Sequence, residues 1–236
     1  MSLAQLSLAA ELGELDSFSF ILDKIEAAID PDILISKLGP CSKRVKNLFT
    51  SLIDEAAETA KPRAAFKVCR VSRLDDSQTC LDQSLFKSRL LNFNLSKHEL
   101  AFAYVATEGA ELSGWAAKLS GAGRALAWYI RYAALKLAEK KLNSFIKSSF
   151  GLKQLSSMNP GALAAWTREE QRPMFALLNP LPEIIGVELR PNFWMSPDLA
   201  STGILFETEH KFYNCQYCPL SPCEHRKTAY LGPWEN

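Results

Sequence analysis

With 236 residues, 47% of them apolar and 22% charged, the chain has the balance of a soluble globular protein, long enough for one large domain or two small ones. Lysine and arginine number 27 against 26 acidic residues, so bulk charge gives no reason to expect a polyanion surface, and nucleic acid is not an expected partner. Residues 1–11 lack a basic start and a cleavage signal, and Arg131 and Lys136 interrupt the apolar run from Ala125 to Ala138; the reading is cytoplasmic, with no membrane partner.

Phe18, Ile21, Leu22, Ile25 and Ile29 recur at helical spacing, which predicts a helix capped by Asp16 or Ser17 and stopped before Pro31. Leu38-Gly39-Pro40 is a turn. A second helix follows Ser42, with Val45, Leu48, Phe49, Leu52, Ile53, Ala56 and Ala60 on one face. It ends at Lys61-Pro62, because the residue before proline is pushed out of the helical region. Ala64 to Val71 reads as a strand and Ser72 to Asp82 as polar loop. Leu100 to Val105 is a strand: Ser96-Lys97-His98-Glu99 has the form of a capping box, but the run stops abruptly at Thr107-Glu108-Gly109.

Ala110 to Leu119 is a helix ended by Gly121 and Gly123. The strongest helix follows. Leu126, Tyr129, Ile130, Ala133 and Leu137 form a stripe that Leu135, Leu142, Phe145 and Ile146 widen, the mark of burial on more than one side. Lys136, Lys140, Lys141 and Lys147 suit the negative end of its dipole and read as a solvated face. Thr167-Arg168-Glu169-Glu170 is a capping box for a helix reaching Leu178, with Pro173 kinking it or delaying its start. Ile184 to Leu189 and Gly203 to Phe206 read as strands joined through the Pro191 to Pro197 turn region. The expectation is an α+β domain, 1–210, followed by a cysteine-bearing tail, 211–236, packed on or near it.

Chemistry concentrates in the last third. Cys215, Cys218 and Cys223 form a C-x2-C-x4-C cluster. In a cytoplasmic chain, cysteines are thiols or ligands rather than disulfides. Two of these can bite one ion from a single turn, and thiolates suit zinc or an iron–sulfur cluster. A closed zinc site needs a fourth ligand, which His225 could supply. A four-iron cluster would draw on Cys41, Cys69 or Cys80, or leave one iron open. The alternative is three free thiols. His98 and His210 read as surface residues, and Arg226 could hold a carboxylate or a docking partner. Gly121-Ala122-Gly123 lacks the third glycine and preceding strand of a phosphate cradle, and there is no nucleophile elbow or P-loop.

The order of turns in this region resembles the activation (reactivation) domain of cobalamin-dependent methionine synthase. The residues that carry the likeness are Asn159-Pro160-Gly161, the Met195-Ser196-Pro197 turn with Ser201 and Gly203 after it, Phe212-Tyr213, and, upstream, Ala106-Thr107-Glu108-Gly109. The resemblance implies a twisted antiparallel sheet flanked by helices. It also implies a site for S-adenosylmethionine, with Asn159, Pro160, Gly161, Phe212 and Tyr213 against the ligand.

Two positions depart from the family pattern. An arginine three residues before the Pro-Gly pair and an aromatic just after it are here Ser157 and Ala162. A serine cannot make the bidentate, charge-assisted contact of an arginine with a carboxylate. The Asp-x-His-x-x-Gly pattern that holds cobalamin is missing, so the corrinoid would reside on a partner: a corrinoid-binding protein or methyltransferase. The function expected on this basis is reductive methylation of that corrinoid, with an iron–sulfur tail preferred slightly over zinc as an electron donor. The rival is a metal-bearing binding module or corrinoid-protein chaperone that has lost the ligand.

Overall fold

The computed structural model of the chain describes residues 18–27 and 29–234. In chain order the elements are β1 (Ser19–Leu22), α1 (Pro31–Ser36), α2 (Lys43–Thr59), β2 (Arg63–Arg73), β3 (Gln78–Leu81), β4 (Ser84–Lys87), α3 (Arg89–Leu95), β5 (Leu100–Thr107), α4 (Ala110–Ala117) and α5 (Gly121–Phe150). They continue with β6 (Leu155–Met158), α6 (Gln171–Leu178), α7 (Leu181–Ile184), β7 (Glu188–Leu189), β8 (Met195–Ser196) and β9 (Ala200–Glu207). Among the described residues, seven strands form one antiparallel sheet in the order β4-β3-β2-β5-β9-β6, and β1 shares an edge of the long β2 with β3. The chain is therefore α+β, with an antiparallel sheet flanked by helices.

Both faces of the sheet are covered, and β5 shows how. Ala101, Ala103 and Val105 join the layer built with Trp166, Met174, Leu177 and Phe86. Phe102, Tyr104 and Ala106, the alternate residues, meet the second half of α5 through Leu142, Ile146 and Phe150. A strand buried on both faces loses its polar alternation, which is why its sequence reads as a continuous apolar run. The first half of α5 serves a third cluster, where Leu126, Ile130 and Ala134 pack with Phe49, Leu52 and Ile53 of α2 and Leu112 of α4. A helix spanning two cores needs a broad apolar stripe.

Four expectations are corrected. The segment from Phe18 is a strand rather than a helix: Phe18, Phe20 and Leu22 alternate onto the sheet core, and the Phe20 ring stacks on Phe66 at 4.8 Å while Ile21 is exposed. The helical reading was possible because Ile21 and Leu22 also fit a 3.6-residue period. Its caps, Asp16 and Ser17, lie outside the described residues. Residues read as loop up to Asp82 contain β3, which turns into β4 at Asp82, a residue type that tolerates the positive φ of 52° found there. Gly121 opens α5 instead of ending the helix before it. Finally, Leu181–Ile184 is a short helix with proline in its first turn, which leaves only Glu188–Leu189 of the strand expected there. Ser42 does cap α2, accepting from the Val45 N–H, and Pro173 delays α6 behind a 3-10 turn.

Candidate functional site

The site grows from the end of β6. After Met158 the chain leaves the sheet and closes a tight loop: the Gly161 N–H donates to the Trp166 carbonyl at 2.8 Å and the Ala162 N–H to the Asn159 carbonyl at 3.1 Å. Gly161 has a φ of +82°, and a Cβ there would stand 3.2 Å from Cβ of Arg168. Glycine is thus needed twice, for the backbone turn and for the close approach of Arg168. The Arg168 guanidinium lies 3.8 Å from the centroid of the Trp194 ring, a cation–π stack that leaves the indole half exposed.

Asn159 is the hub. Its Nδ2 donates to the Tyr104 hydroxyl and to the Thr202 carbonyl, each at 2.7 Å, and its Oδ1 accepts from Asn214 Nδ2 at 2.8 Å. The Thr202 hydroxyl donates to Gln171 Oε1 at 2.5 Å, and Gln171 Nε2 donates to the Pro160 carbonyl, so the loop is tied to the sheet behind it. Gly203 makes this approach feasible: a Cβ there would collide with the Met158 carbonyl and come within 2.7 Å of Asn159 Nδ2.

Two cavities meet at this hub. One, of about 350 Å³, is bounded by Pro160, Gly161, Arg168, Trp194 and Ser201. The other, of about 590 Å³, runs between α5 and the C-terminal tail and includes Ser157, Phe212, Tyr213 and Asn214. Lys136, Glu139 and Asn159 line both. Glu139 is held in place by Lys136 Nζ at 2.7 Å and by the Ser201 hydroxyl at 2.8 Å. Burial opposes the charge of Lys136, but the Glu139 carboxylate beside it lifts the ammonium above its ordinary range. Burial also pushes the Tyr104 phenol well up, with the Glu139 charge adding to the effect, so Tyr104 stays protonated.

The predicted site residues divide between these cavities. Asn159, Pro160 and Gly161 line the smaller one together. Phe212 and Tyr213 line the larger one instead, with the Phe212 ring against Tyr217 and Lys211 over the Tyr213 ring. Only Asn159 belongs to both sets.

The tail is anchored at several points. The Phe212 N–H donates to Ser156 Oγ at 2.8 Å, and Phe212, Tyr217, Cys218 and Trp234 pack on the core. Arg226 is spent inside the tail: its guanidinium donates to the carbonyls of Cys215, Cys218 and Leu220 rather than to a carboxylate or partner. His225 lies flat on Tyr132, with ring centroids 4.4 Å apart, and near Trp128. Cys215 Sγ accepts from the Lys227 N–H at 3.5 Å. Among the described residues, no group of three or more His, Cys, Asp or Glu is placed to hold a metal ion. Cys215, Cys218, Cys223 and His225 are therefore not assembled as a donor set.

Sequence reasoning missed Arg168 and Trp194, which it treated as a capping-box residue and a turn residue. Glu139 was missed as well. No spacing signal joins them, because they converge from three separate elements.

The fold and cavities define an α+β, antiparallel-sheet protein with a polar, cation-bearing cleft at one edge of the sheet. No family model matches the chain, and no curated protein matches it. Among solved structures it is similar to the crystal structure of the MetH reactivation domain bound to AdoHcy, with a TM-score of 0.64 and 15% identity, covering 83% of this chain and 80% of that one. At that identity the likeness shows the fold. No helix among the described residues is long and apolar enough to cross a membrane.

Proposed function

We propose that the smaller cavity binds S-adenosylmethionine and that the chain presents its methyl group to the cobalt of a corrinoid carried by a partner protein or methyltransferase. The observation that carries this reading is Arg168. It stands against Gly161 and supplies, from the loop after Trp166, the cation that Ser157 cannot. A guanidinium stacked on an indole is preorganised for a carboxylate. Glu139, which also lines the cavity, is an acceptor for an ammonium group, and the exposed indole of Trp194 offers a surface for a flat base. The solved structure with this fold holds AdoHcy, the demethylated form of the same ligand.

When bound, S-adenosylmethionine supplies an electrophilic methyl group on a sulfonium. The chain's own contribution is positioning: Arg168 and Glu139 hold the carboxylate and the ammonium on the ligand's α-carbon, and the glycine at 161 lets the backbone come close. No acid–base residue is needed for that task.

Calorimetry with S-adenosylmethionine and AdoHcy tests the proposal, with saturable binding expected for both. Absence of heat at millimolar ligand would instead favour a binding module or chaperone without the nucleotide, the reading that Ser157 and Ala162 support. A metal on Cys215, Cys218 and Cys223 would require His225 to leave Tyr132 or another ligand to join. Iron, zinc and sulfide counts after anaerobic purification decide that point.

A further inference from the structure

The chain is nearly neutral overall, with a formal net charge of +1, yet its larger cavity is not. Lys136, Lys140, Lys147, Lys153, Lys211 and Lys227 line it, against the single carboxylate of Glu139. Three of these lysines come from one face of α5, one from the turn before β6 and two from the tail, so folding gathers them from three stretches of sequence. Glu139 is already paired with Lys136. None of the other five lysines is in an ion pair among the described residues. Five uncompensated cations around one concavity repel one another and focus a positive potential into it. A surface that only needed solvating charge would scatter them.

The rest of the lining narrows the ligand. The cavity, about 590 Å³, is in the range of small-molecule sites. It carries three aromatic rings, Tyr104, Phe212 and Tyr213, and the amides of Asn143, Gln154, Asn159 and Asn214. Cations in number, with aromatic faces and amide groups between them, match a short chain of phosphates better than a single carboxylate.

We infer that the cleft between α5 and the C-terminal tail is a binding site for a polyphosphate-bearing small molecule, next to but separate from the Arg168 cavity. The lysine ammonium groups take the phosphate oxygens, and Phe212 and Tyr213 border the part of the ligand that carries no charge. This inference does not depend on the S-adenosylmethionine reading, because none of its lysines other than Lys136 lines both cavities.

The test is calorimetry of the full chain with inorganic tripolyphosphate and, separately, with ATP, at about 50 and about 300 mM NaCl. Saturable tripolyphosphate binding is expected, weakening roughly tenfold between the two salts. Lys140, Lys147 and Lys153 are exposed, so the triple variant K140S/K147S/K153S should fold normally; it should bind at least about tenfold more weakly. The K140R/K147R/K153R variant should retain binding, and the serine variant should keep its affinity for S-adenosylmethionine. ATP binding tighter than tripolyphosphate assigns a nucleotide; equal affinities assign the phosphate chain alone. Absence of saturable binding for both probes at millimolar concentration overturns the inference. So does a serine variant that binds as tightly as the parent.

Discussion

Asn214 donates a 2.8 Å hydrogen bond to the side-chain oxygen of Asn159, joining the C-terminal tail to the Pro160–Gly161 loop where the two cavities meet. The same Asn159 satisfies the buried Tyr104 hydroxyl and the Thr202 carbonyl. Asn159→Ala should therefore orphan several polar groups at once and destabilise the fold by about 1–3 kcal/mol. Tyr104→Phe removes one of those needs in advance. In a urea-denaturation double-mutant cycle, the two changes together should cost less than their sum.

Gly203→Ala tests how tightly β9 approaches the loop. The added methyl meets the Met158 carbonyl and stands 2.9 Å from Tyr104 Cε1, contacts that backbone and a buried ring cannot easily yield. A loss of about 1–3 kcal/mol is expected in chemical denaturation. Gly114→Ala, with open space at its Cβ, serves as the control and should be neutral or slightly stabilising.

Arg168→Ala should weaken S-adenosylmethionine binding by about 1.5–3 kcal/mol, roughly ten- to a hundredfold, with little effect on stability. Gly161→Ala should produce a comparable loss by displacing Arg168, whose Cβ lies 3.2 Å from the new methyl. Trp194→Ala should cost less, about 0.5–1 kcal/mol, because it only frees the guanidinium. Equal affinities for parent and Arg168→Ala would remove Arg168 from the site.

Stability should carry a pH signature from Glu108. Its carboxylate is fully buried and grips Arg131, which also holds Asp198. Burial pushes the Glu108 carboxyl up to about 7 from an ordinary 4.5, against the pull of Arg131. A raised value means that the folded chain holds this proton more tightly than the unfolded one. The contribution is full below about 4.5 and is lost as pH rises through about 7, on the order of 3 kcal/mol across the interval. Glu108→Gln, neutral throughout, should remove that slope. Melting temperatures of parent and variant should shift relative to each other, in the variant's favour, between about pH 5 and about pH 8.

His225→Ala should loosen the tail. The imidazole stacks on Tyr132 and Trp128 of α5, and losing such a contact costs about 0.5–1.5 kcal/mol. Amide hydrogen exchange across 215–227 should accelerate while β5 and β9 remain protected. An unchanged tail would mean that Arg226 and the Phe212 anchor hold it without the histidine.

Much of the fold was legible because its signals are local. Ser42, the apolar face from Val45 to Ala56, the stripe along α5 and the Leu100 run each contain their own period. What failed was ambiguous at short range: Phe18 to Leu22 fits both periods over five residues, and only pairing with Lys67 to Ala64 of β2 selects the strand. The β3–β4 hairpin hides in polar residues because its stability comes from β2 beside it. For the site, Asn159, Pro160 and Gly161 were readable as a turn able to approach a ligand. Arg168, Trp194 and Glu139 were not, since the physical reason for their grouping is a loop geometry and a helix register that spacing does not encode.

The amino-acid order by itself determined the long helices, the Ala64 and Leu100 strands and the Pro-Gly loop, because periodicity, caps and breakers act over a few residues; the antiparallel sheet was expected only from the family resemblance. Tertiary structure alone decided that a lysine-rich cleft exists in a nearly neutral chain, that Phe212–Tyr213 and Pro160–Gly161 face different cavities, and that His225 lies on Tyr132. Those outcomes depend on which faces meet across the sheet, and contacts between distant segments are chosen by packing rather than by neighbours in sequence.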